Sequence, residues 1–230
     1  MTGDIGAALF DWDGTMASTG ARVVGCFREA TQAVTGRTYP STVDEEHEFW
    51  RLNGRGALKL LSDDVAVRAR IDARFAELYD GPGGAPIVLF DGIREAVEQL
   101  RGAGYRIGVV TAKIRRRFEA DLVHLGLVEH VDVAMCADDL GSEKPDPEGV
   151  LRALALLGID AGRAVMIGDS PQDIGAGHAA GTATVGVAWG HLEVGDLALA
   201  DRIARSPVDL PGLVGELLDE SGRPSALHSL

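Results

Sequence analysis

Five short apolar runs punctuate the chain, at 5–10, 105–110, 131–135, 164–168 and 182–187. The first lacks alternation of polar with apolar residues and reads as a strand buried on both faces, the mark of a parallel sheet, and the other four are similar runs. Between them, Ile93, Ala96, Val97 and Leu100, and again Val150, Ala153, Leu154 and Leu157, recur at the spacing of a helix packed on one side. Gly102, Gly104 and Gly158 stand where such helices end. From residue 85 onward the alternation of strand and helix predicts an α/β fold with a Rossmann-like parallel sheet.

Residues 17–80 break this rhythm. They carry helical periodicities, Val23, Phe27, Ala30 and Val34, then Ile71, Phe75, Leu78 and Tyr79, and no strand-like run. A punctuated stretch, Gly-Pro-Gly-Gly-Ala-Pro at 81–86, follows and reads as a hinge or linker. The pattern therefore predicts two domains, an α/β core of 1–16 and 85–230 and an all-helical insertion of 17–84.

Composition narrows the class. The chain has 230 residues with a net charge of −13, 46% hydrophobic and 25% charged residues, which suits a globular protein with a substantial core. The acidic balance argues against nucleic acid or an anionic membrane as partner, since both require clustered positive charge. No apolar stretch is long enough to span a bilayer, and no secretion signal is legible, so the expected location is cytoplasmic. Monomer and homodimer remain equally open. Cys26 and Cys136 lie far apart and outside any metal-binding pattern, and read as free buried thiols. Only three of the 22 basic residues are lysines, Lys59, Lys113 and Lys144. Arginine is the routine cation here, so each lysine raises the question of why arginine did not serve.

The chemistry gathers at strand ends. Asp11 and Asp13, in Asp-Trp-Asp-Gly-Thr, follow the first apolar run and so emerge at the carboxyl edge of a parallel sheet, where ligands bind. Thr111, with Ala112 and Lys113, ends the second run. Lys144 lies in Lys-Pro-Asp-Pro-Glu, and Asp169 and Asp173 follow the fourth run in Gly-Asp-Ser-Pro-Gln-Asp. Taken singly, Thr111 reads equally as a helix cap, Lys144 as a surface cation and Asp169 as a turn residue. Together they place four acids, a hydroxyl and an ammonium at one sheet edge.

These four motifs, in this order, resemble those of the haloacid-dehalogenase superfamily, and the helical insertion after the first motif resembles that family's cap domain. Val-Thr-Ala-Lys at 110–113 and Val-Ala-Trp-Gly at 187–190 are most similar to the phosphoglycolate phosphatase and pyrophosphatase branch. The resemblance implies five core strands in the order 5-4-1-2-3, which sets Asp11 beside Asp169. It also implies a Mg²⁺-dependent phosphatase acting on a small phosphorylated metabolite through an aspartyl-phosphate. Asp11 is then the nucleophile and Asp13 the general acid and base. Thr111, Ala112 and Lys144 hold the phosphoryl group. Mg²⁺ is bound by Asp11, Asp169 and the backbone carbonyl of Asp13, with Asp173 orienting metal waters or Lys144. The physical chemistry agrees, because a carboxylate attacking a phosphate dianion needs a hard cation between them, and Mg²⁺ favours oxygen ligands. Lysine suits the cationic post as a compact point charge.

Two further residues are weaker candidates for substrate contact. Lys113 follows the threonine of its motif but reads as readily as an exposed first-turn lysine. Arg55, flanked by glycines in the insertion, could reach a substrate anion, with Lys59 behind it. Gly-Ala-Gly-His-Ala-Ala at 175–180 mimics a dinucleotide fingerprint, yet it starts too far beyond its strand. Its glycines read as close-packing positions and His178 as a helix residue, not a base. A phosphosugar mutase on the same fold, and more remotely a receiver-type phosphoryl acceptor, remain alternatives.

Overall fold

The computed structural model describes residues 6–52 and 56–221. Arg55, the first residue of the 5–10 run and the tail beyond Ser221 lie outside the described residues. The described residues divide into two compact units, one within 1–16 and 89–230 and one within 17–88.

The first unit is built on a six-stranded parallel sheet. Strands β1 (Gly6–Phe10), β4 (Tyr105–Val110), β5 (Val133–Met135), β6 (Ala164–Gly168), β7 (Ala183–Val187) and β8 (Arg202–Ala204) lie in the order β5-β4-β1-β6-β7-β8. Read from β7, the first five reproduce the order that the family resemblance implies, and β8 extends the sheet by one strand at its edge. All five residues of β1 are buried, as expected of a strand covered on both faces. Ala7 and Leu9 share one core with helices α7 (Glu148–Leu157) and α8 (Pro171–Ala180). Helices α5 (Ile93–Gly102) and α9 (Leu210–Ser221) contribute nothing to that core. They touch each other and strands β4, β6 and β7, covering the other face.

The helix ends follow their sequence signals. Gly158 closes α7 at φ 68°, and Gly104, two residues past α5, stands at φ 95°. Gly177 faces Thr184 and Met166 so closely that an added Cβ would lie 2.7 and 2.8 Å from their carbons, which makes 175–180 a packing motif. His178 lies in α8 and contacts Thr184 and Asp201, away from the strand-end acids.

The second unit holds helices α1 (Gly20–Thr35), α2 (Val43–Arg51), α3 (Leu58–Leu61) and α4 (Val65–Asp80). Phe27, Ala30, Phe49, Leu58 and Ile71 form its core, with Val23, Val34, Phe75 and Leu78 packed around it. The helical periodicity of the sequence is thus the buried face. The expectation of no strand in this region needs correction: Ala17–Ser18 (β2) pairs with Val88–Leu89 (β3) in a two-stranded ladder. Two residues carry no periodicity, so only pairing defines such a strand. The segment 81–86 is tied to α1, because the Arg22 guanidinium donates to the carbonyls of Tyr79, Gly83 and Ala85 at 3.1, 3.4 and 2.9 Å. It therefore packs within the helical unit, whose limit falls at residue 88.

Candidate active site

The carboxyl edge of the sheet is continued one step past the strands. Asp11 N–H donates to Ile167 O at 2.8 Å and Thr111 N–H to Met135 O at 2.9 Å, while Asp169 follows directly on β6. Parallel pairing of β1 with both β4 and β6 therefore fixes these three backbones side by side.

Lys144 joins the acids. Its Nζ donates to Asp11 Oδ1 at 2.6 Å, to Asp173 Oδ1 at 2.5 Å and to Val110 O at 3.0 Å, from a side chain only 9% exposed. The surface-cation reading of Lys144 is excluded by this burial. Burial works against its ammonium form, but the Asp11 and Asp173 carboxylates more than offset that and raise its pKa above that of free lysine. Asp173 accepts hydrogen bonds on both oxygens: besides Lys144 on Oδ1, its Oδ2 accepts from the backbone N–H and hydroxyl of Ser170 at 3.1 and 2.6 Å. Ser170, Pro171 and Asp173 form a capping box that starts α8, so the carboxylate that holds Lys144 also caps a helix.

Asp169 is held from the other side. Its Oδ2 accepts from the backbone N–H of His191 and lies 2.9 Å from His191 Nδ1. A Cβ on Gly14 or Gly190 would fall inside the radius of this carboxylate, and Gly14 stands at φ 85°, so both positions need glycine. His191 was not singled out in the sequence, although it directly follows the Val-Ala-Trp-Gly segment. Trp189 of that segment donates to Thr15 O at 3.0 Å and ties the loop after β7 to the turn after β1.

Asp13 is bonded to a different lysine. Its Oδ1 accepts from Lys113 Nζ at 2.8 Å, and the same ammonium donates to Asp121 Oδ2 at 2.6 Å. The reading of Lys113 as an exposed first-turn lysine is overturned, since its side chain is 5% exposed. The reading of Thr111 as a helix cap fails as well. Helix α6 (Arg115–His124) begins four residues later, and Thr111, 2% exposed, accepts from Lys113 N–H at 3.1 Å. Ala112, between them, is exposed, and Val110, Thr111, Ala112 and Lys144 line a shallow groove with Ala137, Leu140, Ser142 and Glu143. Lys59 is exposed on α3, in the helical unit.

The donor set fits a hard divalent cation. Asp11, Asp169 and Asp173, all buried, each offer a carboxylate oxygen within 4.8 Å of the others. Burial pushes the Asp11 carboxyl well above the usual carboxylate range; Lys144 pulls it down, while Asp173 and Asp169 push it up further. One ammonium thus leaves three clustered carboxylates under-neutralised, and an all-oxygen set of this kind suits a hard cation of the Mg²⁺, Ca²⁺ or Mn²⁺ type rather than a softer metal.

Among the described residues no helix is long and apolar enough to cross a membrane. Comparison with known proteins gives one consistent answer. The chain is 32% identical over 190 residues to the pyrophosphatase PpaX of Listeria innocua, covering 82% of this chain and 86% of that one. It is 33% identical over 206 residues to the N-acetylmuramic acid 6-phosphate phosphatase of Pseudomonas aeruginosa, covering 83% and 84%. Among solved structures, CbbY from Rhodobacter sphaeroides in complex with phosphate superposes with a TM-score of 0.72 at 26% identity, over 90% of this chain and 96% of that one. Residues 8–187 match the family model described as haloacid dehalogenase-like hydrolase, and the chain belongs to that family.

Proposed function

We propose that this hydrolase is a Mg²⁺-dependent phosphatase of small phosphorylated metabolites, working through a phosphoryl-enzyme on Asp11. The observation that carries this reading is the Lys144 ammonium bonded at once to Asp11 and Asp173 at the sheet edge, with Asp169 alongside. Names of relatives point the same way, since both the PpaX and the N-acetylmuramic acid 6-phosphate enzymes cleave phosphorus–oxygen bonds.

In the first step an Asp11 carboxylate oxygen attacks phosphorus in line. The bond to the leaving oxygen breaks, its electron pair stays on that oxygen, and Asp13 supplies the proton. In the second, water attacks the same phosphorus while Asp13 takes its proton, and cleavage of the acyl phosphate returns Asp11 as a carboxylate and frees inorganic phosphate. Thr111, the N–H of Ala112 and Lys144 hold the phosphoryl oxygens as charge builds on them. Mg²⁺, when bound by Asp11, Asp169 and the Asp13 carbonyl, supplies the positive charge that lets a carboxylate approach a phosphate dianion. Both oxygens of Asp173 are already used, by Lys144 and Ser170, which supports a positioning role for it. The helical unit serves as the cap that selects the substrate, and Arg55 and Lys59 are its candidate contacts.

A panel of phosphorylated metabolites assayed with and without Mg²⁺ tests this proposal. Phosphate release that depends on Mg²⁺ and disappears in Asp11→Asn supports it. Turnover that persists in a chelator or survives Asp11→Asn overturns it.

A further inference from the structure

Lys113 is the second buried lysine of the molecule, and its two acidic partners differ in kind. Asp13, at the sheet edge, has a side chain 24% exposed, whereas Asp121, on α6, is 10% exposed. Helical spacing puts Phe118 and Asp121 on one face of α6. That face meets Trp12: the Phe118 ring stands edge-on to the indole at 4.9 Å, and Trp12 Nε1 donates to Asp121 Oδ2 at 3.3 Å. The same oxygen accepts from Lys113 Nζ. The residue between the two sheet-edge aspartates thus anchors a carboxylate that grips the ammonium beside Asp13.

A buried ammonium is costly unless it is paired, and removing its partner leaves that cost uncompensated. Under the reaction proposed above, Asp13 carries negative charge in one half of the cycle and a proton in the other. With Asp13 alone, Lys113 would be held only by a residue that itself takes part in the reaction. Asp121 takes no part in that proton transfer, and it is the more deeply buried of the two acids and is also bonded to Trp12.

We propose that Asp121 is a positioning residue. As the second, non-reacting partner of Lys113, braced by the Trp12 indole, it holds the ammonium in place and thereby fixes the carboxyl of Asp13 where the leaving group departs. This rests on the acid role proposed for Asp13. The effect of losing Asp121 must then depend on how much protonation the leaving group needs.

The test compares p-nitrophenyl phosphate, whose leaving group departs readily as an anion, with phenyl phosphate, similar in shape but with a more basic leaving group. In Asp121→Asn, kcat for phenyl phosphate should fall ~10-fold further than for the nitrophenyl ester, a share of the ~10²–10⁴ that general acid catalysis supplies. Asp121→Glu should recover part of that gap. The double variant Lys113→Met with Asp121→Asn removes both charges together and guards against misfolding of the single variant. Its selectivity for the better leaving group should equal that of Lys113→Met alone. An equal loss on both esters, or independent multiplication in the double variant, overturns the assignment. Asp11→Asn in the same panel reports on the reaction alone: if it retains turnover, the phosphoryl-enzyme reading fails, whereas an inactive Asp11→Asn beside an unselective Asp121→Asn overturns only the role of Asp121.

Discussion

The helical unit and the sheet edge of the α/β unit use charge in opposite ways. In the helical unit the ion pairs lie outside: Arg28–Glu46 is 40% exposed on both sides, and Arg74 meets Glu29 and Glu77 with all three side chains at least 40% exposed. Its interior is aromatic and aliphatic, with the Phe27 and Phe49 rings 4.8 Å apart. At the sheet edge of the α/β unit the charges lie inside, with Lys144, Asp11 and Asp173 all less than one-tenth exposed. Exposed pairs contribute little to stability, and buried ones are weak stabilisers because desolvation cancels most of their attraction. The helical unit therefore owes its stability to packing, and the buried charges at the sheet edge are the ones the proposed reaction uses.

That contrast is open to attack in four ways. The largest expected effect is on Asp11→Asn, which should lower turnover by on the order of 10⁴-fold or more while leaving the folded protein intact, as read by phosphate release beside a melting curve. A large loss of stability with modest loss of activity would mean that the buried charge is structural after all. Lys144→Ala should abolish turnover and also cost about 3–5 kcal/mol in denaturant unfolding, because Asp11 and Asp173 stay buried without their cation. Phe49→Ala should cost about 3–5 kcal/mol in the helical unit by opening a cavity, with denaturation as the readout and phosphoryl-enzyme formation on Asp11 preserved in whatever fraction stays folded. Arg74→Ala should change stability by about 1 kcal/mol or less, and the little it does change should vanish at high salt. A larger effect there would show that surface charge holds the helical unit together.

Legibility did not follow that divide but the length of each element and the presence of a motif. Strands β1, β4, β6 and β7 are readable because burial on both faces demands a continuous apolar run, and the short edge strand β5 is readable from the apolar residues of 131–135. The ladder of β2 with β3 and the edge strand β8 span two or three residues each and carry no such signature. In the site, Asp11, Asp13, Thr111, Lys144 and Asp169 stand out because each follows a strand or sits in a turn-rich motif. Asp121 and His191 do not. An acid three residues from a phenylalanine on a helix looks like any amphipathic position, and only the packing of Trp12 on α6 turns it inward. The scarcity of lysine was the better signal. Both lysines in the strand-end motifs prove to be buried between carboxylates, and the one outside them is exposed.

The glycines beside Asp169 carry one more consequence. At Gly14 and Gly190 the seat of this carboxylate is defined by atoms that are missing, so truncation scanning, which only removes atoms, is blind to them. A single methyl group added at residue 190 would act as a wedge against Asp169. Sequence drift at these two positions is thus barred by the smallest possible enlargement, and a natural variant carrying alanine there would keep every charged residue of the site and still have lost its alignment.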